Sequence, residues 1–155
     1  MKIIQVKKGE ILQRKGDLNT KVYRVQSGLL RSYSIDEKGK EHVFMFAPEG
    51  WIITDNCDPA FPCSLYIDAL EDAILEVSEK TESAQHIDFK PIIKRLNTLQ
   101  NRIIMLMSSP AAERYEHFVK TYPNIIQRVP QRMIASYLGV TPEALSRVRA
   151  ALLEK

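Results

Sequence analysis

Short runs of β-branched and aromatic residues alternate with polar residues over the first half of the chain. Gly, Asp and Asn separate these runs, which read KKGEIL, KVYRVQSG, LLRSYSID, EHVFMF and AILEVS. Many short strands at regular spacing are typical of an all-β sandwich or barrel. The pattern therefore predicts a β domain over residues 1–78.

Helical spacing replaces this alternation in the second half. We expect Ser78 to cap a short helix that runs to about His86, and a longer helix to follow from Pro91 to Met107. The longer helix carries apolar residues at steps of 4, 3, 4 and 3, which is the a/d seam of paired helices: Ile92, Leu96, Leu99, Ile103 and Leu106. We interpret residues 79–108 as connecting and dimerisation helices. Because the seam spans only about two heptads, a helix that lies on the β domain is a compatible alternative.

The end of the chain has the pattern of a helix-turn-helix. A further helix is predicted from Ala111 to Thr121, and the next begins at Pro130 and ends at Gly139, where a left-handed backbone favours glycine. Thr141 can then cap the final helix with its hydroxyl. Residues 109–155 are therefore predicted to be a DNA-binding domain, and a helical hairpin that only packs is the alternative.

The final helix has a polar face opposite its apolar stripe of Leu145, Val148 and Leu152. Glu143, Ser146 and Arg147 lie on the polar face. Arg can donate to guanine O6 and N7 together, and Glu can accept from cytosine N4, so these residues are candidates for reading bases. Candidates for phosphate contact or support are Arg128, Arg132, Thr141 and Arg149.

Charge is distributed unevenly along the chain. The formal net charge is +3, and residues 109–155 hold seven Lys or Arg against four Asp or Glu, whereas the remainder holds 15 of each sign. The whole excess therefore lies in the predicted DNA-binding segment. Because the excess is modest, we expect a dimer to collect the phosphate contacts.

Several classes of protein are not expected. The N-terminus MKIIQVKKGE does not resemble a signal peptide, and no apolar run reaches transmembrane length, so we expect a cytoplasmic protein without membrane contact. The histidines are scattered, which argues against a cupin-like metal enzyme, and neither a metal nor catalysis is expected. Cys57 and Cys63 are either ordinary thiols or a redox-sensitive pair. Asp55, Asp58 and Asp68 are interpreted as turn and solvated residues.

Taken together, these segments resemble the Crp/Fnr family of bacterial transcription regulators. VKKGEILQRKGD and VYRVQSGLLRSY look like the opening of its cyclic-nucleotide-binding-type jelly roll, and ALEDAILEVS looks like the closing strand. ERYEHFVKTYP and RVPQRMIASYLGVTPEALSRVR look like its DNA-binding half. In the family an E-x-x-S-R recognition helix reads the half-site, and this motif falls on Glu143, Ser146 and Arg147.

The resemblance implies an α+β protein with an N-terminal jelly-roll barrel, a long dimerisation helix and a C-terminal helix-turn-helix. It implies a homodimeric, sequence-specific regulator whose partners are inverted-repeat double-stranded DNA, a second copy of the chain, an unidentified small-molecule effector and RNA polymerase. A stand-alone ligand-binding or cupin-like jelly-roll protein is the alternative.

The sequence departs from the family where cyclic-AMP-binding members hold the nucleotide with Gly-Glu and Arg-Ser pairs. Trp51 follows Gly50, and Cys63 stands where the arginine before Ser64 is expected. Because an anionic phosphate needs a cation or a nest of N–H groups, we expect no response to cyclic AMP. Two cysteines cannot supply the four ligands of an iron–sulfur cluster, and no cofactor is expected. Four residues are candidates for an effector pocket, with core packing as the alternative for the aromatic ones: Trp51, Phe61, Ser64 and Tyr66.

Overall fold

The predicted alternation of buried and exposed side chains is present in the strands of the first half. In the strand Lys21–Ser27, Tyr23 and Val25 are buried while Arg24 and Gln26 are exposed. This is the period of two that a strand gives when one face lies on a core. The computed structural model describes residues 2–55, 58–80 and 89–153.

Within the described residues, eight strands precede four helices. In chain order they are β1 (Lys2–Val6), β2 (Ile11–Gln13), β3 (Lys21–Ser27), β4 (Leu30–Ile35), β5 (Glu41–Ala47), β6 (Ile52–Ile53), β7 (Tyr66–Ala69), β8 (Ala73–Glu79), α1 (Phe89–Ser108), α2 (Ala111–Thr121), α3 (Gln131–Leu138) and α4 (Pro142–Leu153).

The strands form two antiparallel four-stranded sheets, in the orders β1-β8-β3-β6 and β2-β7-β4-β5. Their inner faces share one core, in which Leu30, Ile53, Ile67 and Leu75 are fully buried. The predicted α+β class is confirmed. The predicted barrel is corrected to two sheets, because among the described residues no ladder joins the edge strands of one sheet to those of the other.

Two local expectations for the β region are wrong. Ser78 lies inside β8 and pairs with Val22 of β3, so it does not cap a helix. The rest of that expected short helix, residues 81–86, lies outside the described residues. Asp55 and Asp68 are buried, whereas Asp58 is a turn residue as predicted and accepts from the Ala60 N–H.

Each buried aspartate has a basic partner. Both Asp68 oxygens accept from Arg31 of β4 at 2.9 Å, and Asp55 pairs with Lys80 and the Thr20 hydroxyl. Burial of a carboxylate is tolerated when a cation satisfies it, and here that partner is distant in sequence. Spacing along the chain therefore did not reveal either pair.

The helical half has its own core. Phe118, Tyr122 and Tyr137 have ring centroids 5.3–5.6 Å apart and form an aromatic cluster. Fully buried aliphatic residues complete this core: Ile125, Ile134, Leu138 and Leu145. The chain divides into two compact units, Met1–Ile87 and Asp88–Lys155. None of the described helices is both long and apolar enough to span a bilayer.

Candidate nucleic-acid interface

A tight turn joins α3 to α4, and its residues have the predicted conformations. Gly139 ends α3 with φ 65° and ψ 33°, in the left-handed region that penalises a side chain. The Gly139 N–H donates to the Ser136 carbonyl, and the Val140 N–H donates to the Ala135 carbonyl at 3.0 Å. The Thr141 hydroxyl caps α4 by accepting from the Ala144 N–H at 3.2 Å. These bonds fix the direction in which α4 leaves the turn.

The predicted base-reading residues lie together on the outer face of α4. Glu143, Ser146 and Arg147 are all exposed, while Leu145 is buried against the helical core. The other two apolar stripe residues, Val148 and Leu152, are half-buried. The structure thus anchors α4 by one edge and presents its polar face outward.

The Glu143 carboxylate is held in its charged form. Its own backbone N–H, the Thr141 hydroxyl and the nearby Arg147 charge lower the pKa of Glu143 below its ordinary value. Glu143 and Arg147 are four residues apart and therefore neighbours on the helix surface. The face carries a carboxylate acceptor beside a guanidinium donor.

The four predicted support residues differ in exposure. Arg132 and Thr141 are exposed, whereas Arg128 and Arg149 are half-buried. Arg132 is in the first turn of α3, and Thr141 is immediately before α4. The first N–H groups of α4 are already partnered, since the Ala144 N–H donates to the Thr141 hydroxyl and the Leu145 N–H to the Thr141 carbonyl.

Two further arginines, one on α1 and one on α2, bind the C-terminal end of α3, and the sequence analysis identified neither. The Arg102 guanidinium of α1 lies 3.9 Å from the Tyr137 ring centroid and donates to the Tyr137 carbonyl at 3.1 Å. Arg114 of α2 donates to the Leu138 carbonyl at 3.1 Å. Their acceptors are backbone atoms, which leave no signature in residue type or spacing.

The predicted seam residues of α1 fall into two groups. Leu96 and Ile103 are 60% and 57% exposed, whereas Leu99 and Leu106 are half-buried. The side chain of Ile92 lies outside those described. Three more exposed apolar residues extend the outer row: Ile93, Ile104 and Met107.

The four predicted effector-pocket residues differ in exposure and in the residues they contact. Phe61 is 66% exposed and Ser64 is exposed, Trp51 packs against the β core, and Tyr66 stacks on Tyr33 with centroids 5.2 Å apart. None of the four lines the open hollows of about 280, 380 and 470 Å³ that are formed by described residues of the β unit. The pocket remains a prediction.

Cys63 is a buried thiol whose Sγ donates to the Arg14 carbonyl at 2.9 Å. Burial raises the pKa of Cys63, so the reactive thiolate is disfavoured. Cys57 lies outside the described residues, and the redox pair remains untested. The described residues contain no cluster of His, Cys, Asp or Glu suited to holding a metal ion.

Comparison with known proteins finds chains that this one is similar to. No family model matches the chain. An anaerobic regulatory protein of Aggregatibacter actinomycetemcomitans is 25% identical over an alignment of 170 positions, which covers 92% of this chain and 63% of that protein. The chain thus spans less than two thirds of the length of this relative.

Solved structures share the fold over nearly the whole chain. FixK2 from Bradyrhizobium japonicum superposes with a TM-score of 0.81 at 21% identity, covering 99% of this chain and 84% of its own. A CRP/FNR family transcriptional regulator from Thermus thermophilus gives a TM-score of 0.73 at 18% identity, covering 99% and 86%. These matches confirm the predicted resemblance to the Crp/Fnr family of transcription regulators.

Proposed function

We propose that this chain, which has the fold of Crp/Fnr regulators, is a homodimeric transcription regulator that binds double-stranded DNA in a sequence-specific way. The observation that carries the proposal is the outer face of α4, where Glu143, Ser146 and Arg147 are exposed together. A capped helix that follows a left-handed glycine turn and presents such a face is suited to the major groove.

The three side chains supply complementary hydrogen-bonding chemistry. Arg147 offers a planar fork of donors that matches guanine O6 and N7. The ionised Glu143 accepts from cytosine N4, and Ser146 either donates or accepts.

Phosphate contacts are assigned to basic and hydroxyl groups around this face. Arg132, in the first turn of α3, and Thr141, immediately before α4, are exposed, whereas Arg128 and Arg149 are half-buried. Contacts of this kind set the register on the duplex without reading sequence.

A second copy of the chain is the proposed occupant of the exposed row on α1. Leu96, Ile103 and Met107 expose 60%, 57% and 82% of their surface, which is unusual for a solvated helix of a monomer. Pairing two α1 helices would present two recognition helices to successive major grooves, about 10–10.5 base pairs apart. The operator is therefore proposed to be an inverted repeat.

The decisive experiment selects bound duplexes from a random DNA pool with the full chain. An enriched inverted repeat is expected. Arg147→Ala should then cost about 1–3 kcal/mol and relax the preference at one base position of each half-site. Arg132→Ala, as a phosphate contact, should weaken all sequences alike and reduce the salt slope by about 1. Equal affinity of the wild type for random and selected DNA would refute sequence-specific binding.

The dimer is tested separately by light scattering at micromolar concentration. Leu96→Glu together with Ile103→Glu should give a monomer, because two charges would be buried in the pairing face. Lys94→Glu, at an exposed position of the same helix, is the matched control and should remain dimeric. A monomeric wild type would contradict the proposed assembly.

The remaining partners follow from the same proposal. A regulator of this kind acts in the cytoplasm, with RNA polymerase as a further partner and with an effector of unknown identity. A thermal-shift screen of nucleotides and small metabolites tests the effector. Trp51→Ala would then abolish any stabilisation by a ligand that binds at the predicted pocket.

A further inference from the structure

One guanidinium joins the ends of two helices in the DNA-binding unit. The last four carbonyls of a helix have no partner within it. Arg114 of α2 donates from Nη2 to the Leu106 carbonyl at 2.8 Å and from Nε to the Ser109 carbonyl at 2.8 Å, both at the end of α1. It also donates from Nη1 to the Leu138 carbonyl at 3.1 Å, at the end of α3.

These bonds have the features of a rigid connection. The carbonyl end of a helix carries partial negative charge, so a cation placed there is stabilised. The planar fork of arginine holds several acceptors in fixed relative positions, which a lysine cannot do. Arg114 is half-buried, so water competes only in part for its acceptors.

The turn of the helix-turn-helix packs against this connection. A Cβ placed on Gly139 would lie 3.7 Å from Arg114 Nη1 and 3.6 Å from Leu106 Cδ2. The space beside the Gly139 turn is therefore bounded by the guanidinium and by the end of α1. Arg102 adds a second link from α1 to α3 through the Tyr137 carbonyl and ring.

We infer that Arg114 is a positioning residue that sets the angle between α1 and the helix-turn-helix, and through it the separation of the two recognition helices in the dimer. The inference rests on the proposed function. A twofold axis applies any change of this angle to both arms, so a loosened angle would let the dimer accept half-sites at several separations. Arg114 thus determines which operator spacing is bound.

The test measures binding of the full chain to duplexes with the selected half-sites at the selected spacing, or with two base pairs added or removed. The wild type should prefer one spacing strongly. Arg114→Met removes all three bonds, and the preference for the best spacing should fall by about tenfold, which corresponds to about 1.4 kcal/mol of the lost interaction energy favouring the selected angle. Arg114→Lys keeps the charge without the fork and should give an intermediate preference.

Lys120→Met is the matched control, because it removes one positive charge from an exposed position of the same helix. It should leave the spacing preference unchanged. A phosphate contact at residue 114 would instead weaken every spacing equally and lower the salt slope, and a purely structural role would lower the melting temperature without changing the preference. Either result overturns the inference, as does a wild-type spacing profile in both Arg114 variants.

The possible outcomes distinguish a failure of this inference from a failure of the proposed DNA-binding function. If the wild type shows no sequence-specific binding, the proposed function fails before Arg114 is tested. If the wild type prefers one spacing and a folded Arg114→Met retains that preference, only the inference fails. If Arg114→Met does not fold, Arg114→Lys decides, since it leaves a cation at the carbonyls.

Discussion

Breaking the buried pair of Arg31 and Asp68 should destabilise the β unit strongly. Arg31 Nε and Nη2 each donate to an Asp68 oxygen at 2.9 Å, and the two side chains are only 5% and 12% exposed. Arg31 Nη1 also donates to Glu41 at 2.6 Å, and the Glu41 side chain is 46% exposed. Asp68→Ala would leave two donors of a buried cation without an acceptor.

The size of the loss follows from these contacts. Removing one partner of a buried ion pair typically costs about 3–5 kcal/mol. Glu41 remains as a partner in the variant, which places the expected loss near the lower end, at about 3 kcal/mol. Asp68→Asn keeps one acceptor oxygen and should cost about 1.5–3 kcal/mol, the range for one hydrogen bond to a charged group.

Urea unfolding measures this loss. The chain has one tryptophan, Trp51, which packs against the β core and gives a fluorescence signal for this unit. Glu79→Ala is the control, because its pair with Lys21 is largely solvated, with side chains 50% and 34% exposed. Such a pair is worth about 0–1 kcal/mol.

A double variant separates charge from packing. Arg31→Met with Asp68→Leu removes both charges and should recover most of the stability, since apolar replacement of buried pairs is often neutral or stabilising. A loss below about 1 kcal/mol in Asp68→Ala would refute the reasoning, because removing the main partner of a desolvated cation should cost more free energy than that. A double variant as unstable as the single one would assign the loss to packing instead.

Three further predictions concern other parts of the molecule. Gly28→Ala should lower the free energy of unfolding in urea by at least about 1 kcal/mol more than Gly39→Ala does. Both glycines have positive φ, so both variants carry the same backbone strain, but only at Gly28 would the new Cβ meet the Asp72 carbonyl, at 2.5 Å. Equal losses would contradict this. Phe118→Ala empties the centre of the helical core and should cost about 3–5 kcal/mol, as seen in loss of helical circular dichroism at lower urea; an unchanged midpoint would exclude that packing. Burial raises the pKa of Tyr23 to about 12, against an ordinary value of about 10, so the stability from its protonated form is complete below pH 10 and lost as pH rises through 12. Ultraviolet titration should show this late step, and Tyr23→Phe should remove it.

The helix-turn-helix was predictable almost to the residue because its determinants are local. A glycine, a hydroxyl cap and a proline lie within four positions, and the predicted ends at Gly139 and Pro142 agree with the structure. The outward face of α4 followed from helical spacing alone. Each of these residues fixes the backbone of the turn in which it lies, so the ends of both helices can be predicted from neighbouring residues alone.

The β unit was predictable in class but not in detail. β6 has two residues and β1 exposes most of its side chains, so neither shows a clear alternation. Asp68 was misread because its burial depends on Arg31, which is 37 positions away. Arg114 was missed because its acceptors are carbonyls, which every residue has. Contacts of this kind become visible only when the fold brings distant segments together.

The buried Cys63 thiol is a built-in probe of local opening within the β unit. A buried, protonated thiol reacts with an alkylating reagent only when that part of the structure opens. In a Cys57→Ser variant, Cys63 would be the one thiol left in the chain. The rate at which this thiol is alkylated would then report how often the β unit opens, as amide exchange does. An effector that stabilises the closed unit would lower that rate.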